Sequence, residues 1–167
     1  MRVDGKGDVS EKNTVWEGRV RTRYATPVLV NGRLYSASGS VVECIDAKTG
    51  EQVFQGRLPN AGAGGSDGDQ RGGGFGGRGG GFGGRGGFGG RGGGGGDDYA
   101  SPVTANGKIY ITTNAGTVHV IEAGSELKVL ATNSMSFDKS GFGGTPAISD
   151  GCLFLRSNTH LYCVGEK

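Results

Sequence analysis

Three copies of one pattern constrain this chain more than anything else in it. They read TPVLVNGRLYSASGSVVECID from Thr26, SPVTANGKIYITTNAGTVHVIE from Ser101 and TPAISDGCLFLRSNTHLYCV from Thr145. Pro27, Pro102 and Pro146 open the copies. Asn31, Asn106 and Asp150 follow four residues later, and Gly32, Gly107 and Gly151 come directly after them. Three positions further stand Tyr35, Tyr110 and Phe154. Repetition of this kind means units that cannot bury a core alone and must stack on their neighbours, so it bears on the whole fold.

Each copy has a mechanical reading. Proline at a strand start withholds no ladder donor. Asn-Gly and Asp-Gly mark a tight hairpin, because both residues tolerate positive φ. The next strand alternates through Leu34 and Tyr35, Ile109 and Tyr110, Leu153 and Phe154. A second turn falls at Ser38-Gly39, Ala115-Gly116 and Asn158-Thr159, and a third strand carries Val42 and Cys44, Val118 and Val120, Leu161 and Cys163 at alternate positions. In the first copy Lys48-Thr49-Gly50 reads as a turn and Glu51 to Leu58 as a fourth strand; AGSELKVLATNSM extends the second copy in the same way. No segment sustains a helical period. Four short antiparallel strands in a unit of about 40 residues is the spacing of a propeller blade. The expected fold class is therefore all-β, a partial β-propeller of about three four-stranded antiparallel blades.

The stretch CIDAKTGEQVF resembles the tryptophan-docking signature of PQQ-like (quinoprotein-type) β-propeller repeats. Cys44, Asp46, Thr49, Gly50 and Phe54 occupy the motif positions, with Phe where the family pattern has Trp. Leading strands of the form P-V-x-x-N-G-x-[LI]-Y are also typical of the family. The resemblance implies structural, blade-docking roles for these five residues. It implies the same for Trp16, since VWEGRV from Val15 parallels VFQGRL from Val53. It further implies a bacterial, extracytoplasmic setting. The family holds quinone-dependent dehydrogenases, an outer-membrane assembly lipoprotein and many scaffolds, so fold alone does not name an activity. The chain opens on a fourth-type strand, and its last copy reaches a third-type strand. Three blades' worth of strands is below the usual range of about 4–8. The expectation is the C-terminal part of a larger propeller, or a half that pairs with another copy. The expected partners are a protein, the remaining blades, or a second copy of the chain.

Between the first two copies lies a different kind of sequence. Of the 36 residues from Ala61 to Gly96, 23 are Gly, and none is an aliphatic residue larger than Ala. Such a segment buries too little apolar surface to offset the entropy of ordering, and is expected to stay disordered. It splits the chain into 1–60 (an outer strand of a preceding blade plus the first blade), 61–98 (the Gly/Arg/Phe-rich insertion) and 99–167 (the second and third blades). Two readings of it stand. RGG triplets at Arg71, Arg78, Arg85 and Arg91, interleaved with Phe75, Phe82 and Phe88, offer charge, stacking faces and a pliant backbone for single-stranded nucleic acid. Alternatively it is a tolerated loop, since closure entropy grows only logarithmically with length, and Arg–Phe contacts would make it weakly self-associating.

Charge and chemistry narrow the rest. The four Arg of the tract against Asp67 and Asp69 give +2, the whole net charge of the chain, so the remainder offers no broad basic face for phosphates. Cys44, Cys152 and Cys163 form no CxxC pair and no zinc spacing, and no run approaches the roughly 18–20 apolar residues of a membrane span. MRVDGKGDVS has no apolar core of a signal peptide. That makes the chain cytoplasmic if Met1 is the true start, or part of a longer exported protein. A quinoprotein dehydrogenase needs a basic carboxylate, oxygen-ligated calcium and a planar cofactor. The acids here (Asp46, Glu51, Asp97, Asp98, Asp150) sit at turns, where turn chemistry accounts for them. No catalytic residue, cofactor or metal ligand is assigned. His119 and His160 read as hydrogen-bonded strand-end residues and Cys44 and Cys163 as small core residues. The expected function is a non-catalytic scaffold or protein-interaction module, with RNA or single-stranded-DNA binding through the RGG tract and a fragment of a quinone-dependent dehydrogenase as the alternatives.

Overall fold

The computed structural model describes residues 13–19, 22, 24–59 and 100–165. Residues 24–165 of this set build three antiparallel sheets. The first is β1 (Val28–Val30), β2 (Arg33–Ser38), β3 (Val41–Asp46) and β4 (Gln52–Arg57), side by side in chain order. The second repeats that order with β5 (Val103–Ala105), β6 (Lys108–Thr112), β7 (Thr117–Glu122) and β8 (Val129–Ser134). The third has β9 (Ala147–Ser149), β10 (Cys152–Arg156) and β11 (Leu161–Val164), with β11 at its edge.

The turns explain why each sheet starts alike. Asn31, Asn106 and Asp150 all have φ 50°, followed by Gly32, Gly107 and Gly151 at φ 75°, 70° and 75°. Two successive positive φ values give the type I′ turn, whose twist matches that of the flanking strands. A side chain on any of these glycines would meet nothing within 4 Å, so glycine is needed there for its backbone conformation alone. The turns set the register Val28↔Tyr35, Val103↔Tyr110 and Ala147↔Phe154.

The sheets pack face to face, and the middle strands are covered on both sides. That is why every residue of β7 from Thr117 to Ile121 is buried. One core lies between the first two sheets: Tyr35, Ala37, Val42 and Cys44 from the first meet Ile109, Ile111 and Ile121 from the second. A smaller one joins the second and third sheets through Val118, Phe142 and Leu155. The short strands β1, β5 and β9 neighbour one another, so they form the inner side and β4 and β8 the outer.

A hydrogen-bond relay runs along that inner side through the residue before each opening proline. The Thr26 backbone N–H donates to Ser101 Oγ (2.8 Å), and the Ser101 N–H donates to Thr145 Oγ1 (3.0 Å). A hydroxyl residue is needed at this position because it donates a backbone bond to one neighbour and accepts one from the other.

Val15–Val20 was read as an outer strand, but its described residues, 15–19, join no ladder here. A fourth-type strand needs a third strand to bond to, and none flanks this segment among the described residues. The boundaries drawn at 60 and 98 fall in or beside residues 60–99, which lie outside the description.

Candidate functional site

The docking residues converge on the turn between β3 and β4. Asp46 Oδ1 accepts from the N–H groups of Lys48 (2.8 Å) and Thr49 (3.1 Å), and Thr49 Oγ1 accepts from the Glu51 N–H (3.2 Å). These backbone donors favour the charged carboxylate and hold the Asp46 carboxyl below its ordinary range. The turn closes with the Gly50 N–H bonded to the Asp46 carbonyl (2.9 Å), and Gly50 has φ 76°. The indole of Trp16 lies over this glycine: a Cβ there would stand 2.6 Å from Trp16 Cδ2. Trp16 Nε1 donates to the Ala47 carbonyl (3.0 Å). Trp16, Asp46, Thr49 and Gly50 therefore form one unit. Cys44 lies apart from it, fully buried opposite Phe54 and Tyr35, with its thiol pushed up by burial.

The junction between the first two sheets uses other atoms. Phe54 holds the sequence position that Trp16 holds in VWEGRV, and its ring has no N–H to donate. Its ring lies 6.3 Å from that of Tyr35, which is only 1% exposed. The Tyr35 hydroxyl crosses to the next sheet and donates to the Gly124 carbonyl (2.8 Å). Gly124 lies in the turn equivalent to that of Ala47, because Ala47 bonds to Gly32 as Ala123 bonds to Gly107. Burial first, and the neighbouring Cys44 second, push the Tyr35 hydroxyl up to about 12, so it stays a donor throughout the accessible pH range. Leu127 fills the space above Gly56, where a Cβ would meet its Cδ2 at 2.5 Å.

A third group of side chains, which the sequence did not announce, ties the second sheet to the third. Asp138 Oδ2 accepts from the Tyr162 hydroxyl (2.7 Å), and Oδ1 from the Ser140 N–H (2.8 Å). Bonds from Ser157, Tyr162 and Ser140 hold this carboxyl far below the usual range, although its side chain is only 8% exposed. Tyr162 is pushed up in return by the carboxylate it bonds. Around them, Ser140 Oγ meets Thr159 Oγ1 (3.1 Å), Asn158 Nδ2 donates to the Ser140 carbonyl, and Thr159 Oγ1 meets His160 Nδ1 (2.8 Å). The same His160 nitrogen lies 3.8 Å from Asp138 Oδ2. Hydroxyl and carboxylate thus approach one ring nitrogen, whereas a nucleophilic triad sets them on opposite nitrogens. Phe142, in the loop that carries Asp138, lies on Gly116 as Trp16 lies on Gly50, 2.6 Å from the place of a Cβ.

Strands alternate in direction, so the β2–β3, β6–β7 and β10–β11 hairpins share one edge with Leu58, Ala100 and the β8–β9 loop. The bonds from Leu58 N–H to the Ser40 carbonyl (2.7 Å) and from Met135 N–H to the Gly116 carbonyl (2.8 Å) fix that arrangement. Arg71, Phe75, Arg78, Phe82, Arg85, Phe88 and Arg91 lie outside the described residues. His119 is buried at 3% exposure, with Nδ1 3.2 Å from Thr132 Oγ1, and so belongs to the core rather than to a strand end. Cys163 neighbours Cys152 on the adjacent strand, while Cys44 lies in another sheet, so these three bring no common site together. No group of three or more His, Cys, Asp or Glu residues fit to hold a metal occurs among the described residues.

No protein-family model matches the chain, and no curated protein matches it in sequence. Among solved structures, BamB from Moraxella catarrhalis superposes on 90% of this chain with a TM-score of 0.55 and 13% identity. The fold is that of PQQ-like β-propeller blades. The chain spans 36% of BamB, about a third of its length. A quinohemoprotein alcohol dehydrogenase from Pseudomonas putida HK5 is similar at a TM-score of 0.49 and 16% identity, over 79% of this chain and 16% of its own. In blade terms, Trp16 caps the outward flank of blade 1, Tyr35 and Phe54 close the junction of blades 1 and 2, and the Asp138 group closes that of blades 2 and 3. The hydroxyls of Ser101 and Thr145 were missed as functional groups. The signal for them was present in the repeated Thr-Pro and Ser-Pro openings. Nothing comparable marked Asp138, because its partners Ser157 and Tyr162 come from a different segment.

Proposed function

We propose that this chain is a non-catalytic PQQ-like propeller module that works by holding other protein segments against its blades. The observation that carries this reading is the outer edge of blade 3. β11 pairs with β10 on one side and with no described strand on the other. Leu161 and Val164 on it are 70% and 45% exposed. An open edge with exposed apolar side chains is a template for an added strand, which supplies main-chain bonds and side-chain pockets together. The polar side chains at the hairpin edge are engaged in holding turns and junctions, which supports a scaffold over a catalyst. The PQQ-like likeness supports an extracytoplasmic setting. As a test, a labelled peptide of residues 13–20 is titrated onto the chain and read by fluorescence anisotropy. Saturable binding that is lost in Leu161→Lys/Val164→Lys supports the reading. Binding that survives this double change, or no binding at all, overturns it.

A second reading rests on the four RGG triplets at Arg71, Arg78, Arg85 and Arg91, which lie outside the described residues. It makes the chain a binder of single-stranded RNA or DNA. Binding of a single-stranded RNA that weakens with salt and disappears when Arg71, Arg78, Arg85 and Arg91 become Ala supports it, and no binding at low salt overturns it.

A further inference from the structure

We infer that Cys152 and Cys163 form an oxidative modification site, whose two thiols close a disulfide across the β10–β11 hairpin in the presence of a small disulfide such as oxidised glutathione.

The register shared by the three blades isolates the exception in blade 3. The first residue after each positive-φ turn is Arg33, Lys108 or Cys152. In blade 1 Arg33 faces Asp46, and in blade 2 Lys108 faces Glu122, so a base opposes an acid on the third strand. In blade 3 the ladder pairs Phe154 with Cys163 and Leu153 with Val164, so the place opposite Cys152 falls to Gly165. A thiol and a residue without a side chain have replaced the charged pair. Two residues back along the third strand, on the same face, stand Cys44, Val120 and Cys163. Among the three blades, the diagonal joins two sulfurs in blade 3 alone.

Gly165 decides where the Cys152 thiol goes. A Cβ at Gly165 would stand 2.9 Å from Cys152 Sγ, so the thiol lies across the strand gap in the space that a side chain would take. It is thereby brought onto the face of β11 that Cys163 shares. Contact with Cys152 is the chief cause holding the Cys163 thiol above its ordinary range, so the two groups are within reach of each other. Cys163 is exposed and Cys152 half-buried, which leaves the pair open to a reagent. Cys44 is fully buried, and its diagonal neighbour is Arg33. Every atom of the site belongs to one hairpin, so its composition does not depend on what else flanks blade 3.

The chemistry is two thiol–disulfide exchanges. The Cys163 thiolate attacks oxidised glutathione, forming a mixed disulfide and releasing one glutathione thiolate. The Cys152 thiolate then attacks the Cys163 sulfur. The Cys152–Cys163 bond forms, the mixed disulfide breaks and the second glutathione leaves. The two thiols lose two protons and two electrons, and those electrons reduce glutathione disulfide to two thiols. Diagonal neighbours on a sheet lie about 7–8 Å apart, past the roughly 4.4–6.8 Å between Cα atoms that a relaxed disulfide spans. Closing the bond therefore requires a small shift of the strand end, which the finish of β11 at Val164 permits. A bond made in this way is readily reduced, so the modification is reversible.

The test treats the full 167-residue chain with oxidised glutathione at neutral pH and reads the product by intact mass and by peptide mapping. The expected product is a single chain lighter by two hydrogens, carrying no glutathione, with Cys152 joined to Cys163 and Cys44 still a free thiol. Hydrogen exchange at Leu161–Val164 should slow by about tenfold in this form and recover on mild reduction. Cys163→Ser should abolish the loss of hydrogens. Gly165→Val keeps both thiols but occupies the space of Cys152 Sγ, and should slow the crosslink severalfold while far-UV circular dichroism stays unchanged. A stable glutathione adduct on Cys163 beside a free Cys152, a disulfide between chains, a bond that includes Cys44, or no reaction overturns the inference. So does a crosslink that forms as fast in Gly165→Val and in the urea-unfolded chain as in the folded parent, because nearness along the chain, and not the hairpin, would then be what joins the sulfurs.

Discussion

Replacing Gly50 by alanine separates two demands that the docking turn makes on one residue. The first is conformational. At φ 76°, an L side chain is strained by roughly 1–2 kcal/mol. The second is steric. The new Cβ would stand 2.6, 2.7 and 2.9 Å from Cδ2, Cε3 and Cγ of Trp16. These are atoms of a rigid ring close to its own attachment, so no flexible end can swing aside. Displacing the ring adds an overpacking cost of about 1–3 kcal/mol. Gly50→Ala is therefore expected to destabilise by roughly 2–5 kcal/mol in all. Gly32 provides the control: its φ is 75°, and nothing lies within 4 Å of a Cβ there. Gly32→Ala should lose only the conformational part, about 1–2 kcal/mol.

The measurement is urea unfolding followed by far-UV circular dichroism, since Trp16 is the sole tryptophan and its fluorescence is lost in half the cycle. Both alanine variants are made in the parent chain and in Trp16→Ala. In the Trp16→Ala background the steric part of Gly50→Ala should vanish, a coupling of about 1–3 kcal/mol, while Gly32→Ala should be unchanged. If Gly50→Ala has the same effect with and without Trp16, or no more effect than Gly32→Ala, the indole does not rest on this turn.

Tyr35→Phe keeps the buried ring and removes the bond to Gly124, for an expected loss of about 0.5–1.5 kcal/mol in the same unfolding assay. An unchanged stability would show that the hydroxyl carries nothing across the junction. Ser101→Ala deletes the acceptor for the Thr26 N–H, and hydrogen exchange at Thr26 should speed up while β7 amides keep their protection; equal rates in both proteins would remove the relay. Asp138 makes stability depend on pH. Its carboxyl titrates lower in the folded chain than in the unfolded one, so its contribution is complete above about pH 4 and is lost as pH falls toward the folded value. The gap in melting temperature between the parent chain and Asp138→Asn should accordingly be widest near neutrality and close in acid, and a gap that is constant from neutral to strongly acidic pH would refute this.

What the sequence revealed was local chemistry. The Asn-Gly and Asp-Gly turns were readable because positive φ restricts which residues fit. The Asp46-Thr49-Gly50 turn was readable because its side-chain bonds run between residues at most three apart. The hidden part consists of pairings whose partners are far apart in the chain. Tyr35 reads as a core aromatic, and nothing near it announces a carbonyl 89 residues away. Asp138 and Tyr162 lie 24 residues apart on a loop and a strand whose approach the repeat does not specify. The error over residues 15–20 has the same origin. Likeness to Val53–Leu58 suggested a strand there, but a ladder belongs to two strands, and the likeness concerned one.

Taken in order, the three junctions show why these repeats can drift so far in sequence. At the flank of blade 1 one indole supplies both a face over Gly50 and a donor to Ala47. At the next junction those two tasks are divided: Leu127 covers Gly56, and Tyr35 supplies the donor. In blade 2 the docking position itself is lost, since Ala131 faces Val120 where Phe54 faces Cys44. There Phe142, from the loop rather than the strand, covers Gly116. What persists is a glycine that lets an apolar group come close, together with satisfied hydrogen-bonding groups at the junction. Interiors pack densely and leave buried polar groups paired, so the gap between blades has to be filled and its exposed bonds met, but the residue that does so is free to change. A motif tied to one residue type, such as the docking tryptophan, therefore weakens from one repeat to the next while the blade geometry does not.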